Sequence, residues 1–285
     1  MSDVVEMRLA VLIDADNVAK SDVKAIVGEV AKYGTPVVKR AYGDWASQTL
    51  VGWKEVLLEI GAVPVQQYAY TVGKNATDVA MVIDAMDFLH DNCVEGFVLV
   101  SSDSDFTPLA LRLRESGKKV FGIGEKKTPK PFIKACDKFI YAEILRSTPS
   151  LAPDLKDEHP TQKEKSVLDS TGDSFLSAVM ASAPDSEKDV KKAGSDASAP
   201  IKKTISSTTV EFLAQCIAEL SGDDGCCALS GLGSLVSKKR PDFDSRNYGY
   251  SQLSKLLRSI DRFNVTGSGS SLRVKDKRAD GWQSC

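Results

Sequence analysis

Four acidic residues, Asp14, Asp78, Asp103 and Asp105, have the side chains and the placement to hold divalent cations. A largely apolar run, Met7-Arg8-Leu9-Ala10-Val11-Leu12-Ile13, gives way to Asp14-Ala15-Asp16-Asn17. A second run, Gly96-Phe97-Val98-Leu99-Val100, gives way to Ser101-Ser102-Asp103-Ser104-Asp105. Parallel α/β sheets bind ligands outside the carboxyl ends of their strands, so two acidic turns at such ends predict one shared cluster. Like charges about 4 Å apart repel by roughly 4 kcal/mol at an effective dielectric near 20. Mg²⁺ or Mn²⁺ relieves that repulsion, and hard carboxylate oxygens suit both ions.

The matching chemistry is phosphodiester hydrolysis. It needs a positioned water, charge relief on the reacting phosphate and help for the leaving oxygen, all of which metal ions can supply. Asp14, Asp78 and Asp103 read as direct or water-mediated ligands. Asp105 reads as a ligand of a second ion or as the group that orients the attacking water. Asn17 has an amide that can fix a ligand or a phosphate, Lys74 can contact a nucleic-acid backbone, and Ser101 and Ser102 can donate to phosphate. Each residue also has a plainer role. Asp14 and Asp16 can cap the following helix, Asp78 can favour a helix dipole by about 0.3–1 kcal/mol, and Asp103 and Asp105 can be turn residues. Asp84, Asp87 and Asp91 read as a solvated helix face, with Asp84 as a further acidic candidate. The convergence of separate segments favours the cluster.

The elements that must position these residues alternate strand and helix. Strands are predicted at 7–13, 35–42, 62–67, 97–100, 119–123 and 139–141, with helices at 21–33, 47–60, 77–91 and 106–116 between them. Gly34, Gly61 and Gly117 read as helix stops, Thr77 as an N-cap, and Pro64 marks an edge strand. Repeated βα units imply a parallel sheet with helices on both faces. Residues 1–147 are thus expected to form one α/β domain. Residues 148–203, rich in Ser, Lys, Asp, Ala and Pro, read as a flexible linker. Residues 204–277 read as a small α+β domain of three helices and a terminal hairpin, a winged-helix pattern, and 278–285 as a tail.

Composition sets further bounds. The net charge of −2 makes a uniformly basic nucleic-acid coat untenable, so any such contact must come from local patches. The six cysteines form no CxxC pair and only two histidines are present, which argues against a structural zinc site or a disulfide framework. The N-terminus shows no signal-peptide pattern and no apolar run reaches the roughly 18 residues of a membrane span, so a cytoplasmic protein without membrane contact is expected.

Several stretches resemble a known family. Val11-Leu12-Ile13-Asp14-Ala15-Asp16-Asn17, Lys74-Asn75-Ala76-Thr77-Asp78, Leu99-Val100-Ser101-Ser102-Asp103-Ser104-Asp105-Phe106-Thr107-Pro108-Leu109 and Ala135-Cys136-Asp137-Lys138-Phe139-Ile140-Tyr141 resemble the NYN domain. The resemblance implies a PIN-like fold and a Mg²⁺- or Mn²⁺-dependent ribonuclease, of endonucleolytic type, with Asp14, Asp78, Asp103 and Asp105 lining the metal site and Asn17 beside them. Leu232-Gly233-Ser234-Leu235-Val236, Lys238-Lys239-Arg240-Pro241-Asp242-Phe243-Asp244, Tyr248-Gly249-Tyr250 and Leu253-Ser254-Lys255-Leu256-Leu257 resemble the LOTUS (OST-type winged-helix) domain, which binds RNA or protein. Its candidate RNA-binding residues are Lys238, Lys239, Arg240, Arg246, Tyr248, Tyr250 and Lys255, since cations beside aromatics suit single strands. The plainer reading makes the tyrosines core and the cations surface.

Other functions compete. A catalytically weak or inactive RNA-binding regulator would keep the fold without turnover. A haloacid-dehalogenase-type phosphatase is suggested by the strand ending in Asp14-Ala15-Asp16-Asn17-Val18, although its further motifs do not fall in order. Dinucleotide binding is weaker still, because Gly122-Ile123-Gly124 lacks the third glycine and comes late in the sheet.

Overall fold

A computed structural model describes residues 6–68, 76–146, 205–222 and 224–278. The N-terminal domain contains strands β1 (Arg8–Asp14), β2 (Thr35–Gly43), β3 (Val63–Gln66), β4 (Gly96–Val100), β5 (Lys119–Gly124) and β6 (Lys138–Tyr141). Every pairing is parallel, in the order β3-β2-β1-β4-β5-β6. The chain adds strands outward on one side of β1, then returns to start the other side at β4. The crevice between the carboxyl ends of β1 and β4 is therefore the switch point at which such sheets hold ligands.

Strand periodicity explains the layers. Leu9, Val11 and Ile13 face one side, where they pack with Val98, Val100 and Ile123 under helices α1 (Val23–Val30), α2 (Trp53–Ile60) and α6 (Ala142–Arg146). Ala10 and Leu12 face the other side, with Phe97, Leu99 and Val120, under α3 (Ala76–His90), α4 (Thr107–Glu115) and α5 (Lys130–Ala135). All of β4 is buried, as its unbroken apolar run requires of a central parallel strand. Each buried Leu, Ile or Phe on these faces contributes roughly 1.5–3 kcal/mol. Pro64 does lie in an edge strand, β3.

The predicted helix at 47–60 is interrupted: a short 3₁₀ turn at Gln48–Leu50 precedes Gly52, whose φ of 86° breaks the helical path before α2. Thr77 is not an N-cap, because α3 already begins at Ala76. The helix α5 was not read from the sequence.

The C-terminal domain contains α7 (Ser207–Leu220), β7 (Cys226–Ala228), α8 (Leu229–Lys239), α9 (Leu253–Arg258), β8 (Phe263–Thr266) and β9 (Arg273–Asp276). Its core gathers Leu213, Ile217, Leu232, Val236, Leu257, Phe263 and Val274. The predicted hairpin is β8-β9, and β7 adds a strand that the sequence did not disclose. The expected linker, 148–203, lies outside the described residues.

The two domains belong to one compact unit. The backbone N–H of Phe139, in the edge strand β6, donates to the carbonyl of Pro241 at 2.9 Å. The Tyr141 hydroxyl donates to Asp242 Oδ2 at 3.0 Å. The Arg246 guanidinium clasps Glu29 through Nη2–Oε1 at 2.7 Å and Nη1–Oε2 at 3.0 Å, and it also pairs with Asp244. Glu29 is only 4% exposed. Burial alone would push its carboxyl up, but the hydrogen bonds and charges of Arg246 and Lys32 outweigh that and hold it at about 2.

Candidate active site

Asp14 is the last residue of β1, and the buried face of the sheet leaves it only 1% exposed. Its Oδ2 accepts from Asn17 Nδ2 at 2.8 Å and from Ser101 Oγ at 2.7 Å. Its Oδ1 is buried without a hydrogen-bond partner. Such an orphaned charged oxygen is expensive unless something positive or protonated meets it. Desolvation raises the Asp14 carboxyl above its ordinary value, despite the opposing hydrogen bonds from Ser101 and Asn17.

Asp103 follows β4, where its Oδ1 accepts from the backbone N–H of Asp105 at 2.9 Å and caps the 3₁₀ turn Ser104–Phe106. The turn role and the site role thus coexist in one residue. Asp78 sits in the first turn of α3, and Asp105 is exposed beside it at the rim. Burial first, then the charges of Asp14, Asp103, Asp105 and Asp16, push the Asp78 carboxyl up to about 6. The carboxylates of β1, α3 and the β4 turn therefore share one electrostatic field. Asp16 contributes to it and accepts from the Thr77 hydroxyl at 2.9 Å, which ties the β1 turn to α3.

Among the described residues, no three acidic, histidine or cysteine side chains stand close enough to ligate one ion directly. Mg²⁺ commonly keeps several waters and takes only one or two carboxylates, so this spacing suits a largely hydrated ion. The orphaned Asp14 oxygen and the all-oxygen donor set fit such an ion.

The surrounding candidates separate. Ser101, read from sequence as a phosphate donor, is fully buried. Its hydroxyl donates to Asp14 and accepts from the backbone N–H of Asp103 at 3.0 Å, so it positions both acids instead. Ser102 Oγ accepts from the backbone N–H of Glu125 at 2.8 Å, stitching the β4 turn to β5. Asn17 is exposed and bound to Asp14. Lys74 lies outside the described residues. Asp84 is neither a solvated face nor part of the acidic rim, since Arg40 and the Tyr42 hydroxyl hold its carboxylate on α3. Gly124, to which the sequence assigns no role, packs at this rim. A Cβ there would come within 2.5 Å of the Ser101 carbonyl and 3.0 Å of Ser102 Oγ, so the glycine serves close strand packing at this rim.

In the C-terminal domain, Lys238, Lys239 and Lys255 are exposed, with Lys239 paired to Glu219 and Lys255 Nζ 3.1 Å from Ser251 Oγ. Arg240 lies over the Phe212 ring, 5.0 Å from its centroid. Two RNA-binding candidates need correction. Arg246 is consumed by Glu29 and Asp244. Tyr248 packs its ring 5.9 Å from Phe243 and shares a hydrogen bond with Thr209, a role closer to the core reading. Tyr250 is half-buried.

Residues 8–146 match the family model of the NYN domain, and residues 200–274 match that of the OST-HTH/LOTUS domain. The chain is an NYN-domain protein with a C-terminal OST-HTH/LOTUS domain. The six-stranded parallel sheet and the small helix-and-antiparallel-sheet domain are the corresponding folds. An uncharacterized protein of Methanocaldococcus jannaschii is 29% identical over 124 residues, which is 42% of this chain and 48% of that protein. The chain thus spans about half the length of that curated relative. A crystal structure of a Vibrio parahaemolyticus protein of unknown function is 22% identical and covers 49% of this chain and 94% of its own, with a TM-score of 0.41. A solution structure of an uncharacterized Nitrosomonas europaea protein is 30% identical and covers 32% of this chain and 91% of its own, with a TM-score of 0.25. The pairing of an NYN and a LOTUS domain supports a nuclease or RNA-binding role and displaces the phosphatase reading of Asp14-Ala15-Asp16-Asn17. Among the described residues, no helix is long and apolar enough to cross a membrane.

Proposed function

We propose that this protein is a divalent-metal-dependent ribonuclease, cutting RNA within the chain, whose LOTUS domain helps to hold the substrate. The observation that carries this reading is the Asp14 carboxylate, buried at the switch point with one oxygen unpartnered, together with Asp78, whose carboxyl feels the charges of Asp14, Asp103, Asp105 and Asp16. Asp14, Asp78, Asp103 and Asp105 would hold Mg²⁺ or Mn²⁺. A divalent ion bound there supplies an acidified water and charge relief for the phosphate. Asn17 and Ser101 fix the Asp14 carboxylate, and Ser101 also fixes the turn that presents Asp103. Burial and neighbouring acids push the Asp78 carboxyl up to about 6 without an ion, and a divalent cation would relieve that repulsion and keep it ionised as a ligand. Asp105, exposed at the rim, orients that water. Lys74 and Ser102 stay assigned to the RNA backbone, and Lys238, Lys239, Arg240, Tyr250 and Lys255 to the LOTUS share of binding. Residues 148–203 act as a linker. The unpaired thiols of Cys93, Cys136, Cys216, Cys226 and Cys227 suit a reducing cytoplasm.

A second reading, an RNA-binding regulator with little turnover that can also engage a protein through its LOTUS domain, is favoured by the spread of the carboxylates. Incubating single-stranded and structured RNA with the full chain in Mg²⁺ or Mn²⁺ separates the two. Metal-dependent internal cleavage supports the nuclease, while tight binding with intact RNA supports the regulator.

A further inference from the structure

A cavity of about 250 Å³ opens where the NYN and LOTUS domains meet, lined by Lys126, Tyr141, Arg240, Asp242, Phe243, Asn247 and Tyr248. We propose that this cavity holds a single nucleobase of the RNA strand whose phosphodiester lies at the acidic rim. This rests on the ribonuclease reading and deepens it, by making the LOTUS domain part of the substrate groove.

Chemistry and position argue together. Tyr141 and Phe243 bring aromatic rings to the lining, with Tyr248 packed behind Phe243, and base–aromatic stacking tolerates any sequence. Asn247 and Asp242 offer an amide and a carboxylate able to bond a base edge, while Lys126 and Arg240 bring positive charge for a flanking phosphate. The volume falls below the roughly 300–1,000 Å³ typical of drug-sized ligands, which suits one planar ring system. Its NYN-side lining lies on the same edge of the sheet as the acidic rim. Lys126 follows β5 and Tyr141 ends β6, so both stand at the same carboxyl edge of the sheet as Asp14 and Asp103. Ser102 bonds the backbone N–H of Glu125, the residue before Lys126. Strands lie about 4.8 Å apart, so the path from β1 or β4 to β6 crosses roughly 10–15 Å. A stacked strand advances about 3.4 Å per nucleotide, and it covers that path in about three to four nucleotides.

The test uses the full chain, with single-stranded RNA carrying 4-thiouridine at one position at a time. Crosslinks are mapped by mass spectrometry beside a cleavage assay. The expected result is crosslinking to the Tyr141 peptide or to the segment containing Phe243 and Tyr248 when the thiouridine stands about three to four nucleotides from the cut. The double variant Lys126→Ala/Asn247→Ala should weaken RNA binding by about tenfold at unchanged Mn²⁺ affinity, and the fold should survive the loss of the 3.3 Å Asn247 Nδ2–Asp242 carbonyl hydrogen bond. Cleavage with crosslinks confined elsewhere, or full affinity in the double variant, overturns the cavity and leaves the ribonuclease reading standing. Crosslinks in the cavity with RNA left intact overturn the ribonuclease reading and keep the base site. Absence of RNA binding overturns both.

Discussion

The Ser101 hydroxyl donates to Asp14 Oδ2 across 2.7 Å, and this one hydrogen bond joins the carboxyl ends of β1 and β4. The Ser101 Oγ in turn accepts the backbone N–H of Asp103. One buried serine thus sets the positions of two acids that are far apart in sequence. Ser101→Ala removes a donor from a buried carboxylate, so a stability loss of about 1–3 kcal/mol in urea is expected. Mn²⁺ affinity, measured by calorimetry, should fall with it, because Asp14 then takes up a proton more readily. Unchanged stability and affinity would show that Ser101 is a bystander.

Repulsion within the cluster predicts an unusual pH profile. The folded-state pKa of Asp78 is raised from an ordinary 3.8 to about 6. The native state therefore binds the proton more tightly than the unfolded chain does. Its stabilising effect is complete below pH 4 and is lost as pH rises through 6. Without divalent ions, thermal stability should fall between pH 4 and 7 by about 1–2 kcal/mol, discounted for the partial exposure of the group. Mn²⁺ should restore it above pH 6, and Asp78→Asn should flatten the profile. A metal-free profile that rises over this interval speaks against the cluster.

Asp84→Asn serves as a control on the same helix. Arg40 and Tyr42 hold this carboxylate, so the substitution should cost about 1–3 kcal/mol in stability. Mn²⁺ binding should stay within about twofold of wild type. A large loss of metal affinity with intact folding would return Asp84 to the ligand set.

The Glu29–Arg246 pair predicts coupling between the domains. Removing one partner of a buried pair commonly costs about 3–5 kcal/mol. Lys32 and Tyr33 also contact Glu29, which places Arg246→Ala at the lower end. In a double-mutant cycle with Glu29→Gln, a coupling above about 1 kcal/mol is expected by denaturation. Strict additivity would mean that the clasp adds nothing. Because the Glu29 carboxyl is depressed to about 2, its contribution is present above pH 4.5 and disappears as pH falls toward 2.

Much of this architecture was legible in the chain. The unbroken apolar run of β4 and the Gly- and Pro-marked boundaries announced a parallel sheet, since a strand buried on both faces must be apolar throughout. The acidic turns were legible because such sheets place ligands at strand ends. The helix at 47–60 failed for a local reason, the positive φ of Gly52, whereas the misread side chains share another cause, which is contact between distant segments. Thr77 looked like a cap because its partner, Asp16, lies 61 residues away. Arg246 looked like an RNA contact because Glu29 is 217 residues away. Gly124 had no visible role because the backbone it must clear belongs to Ser101.

The most direct test of the account compares wild-type protein with Asp103→Asn on single-stranded RNA in Mn²⁺. Wild type should cut the RNA and lose activity when the ion is chelated. Asp103→Asn should bind RNA as tightly and cut at least about a hundredfold more slowly, the scale of losing one group that stabilises the transition state. Equal cleavage by both proteins would contradict the placement of the catalytic centre at this rim.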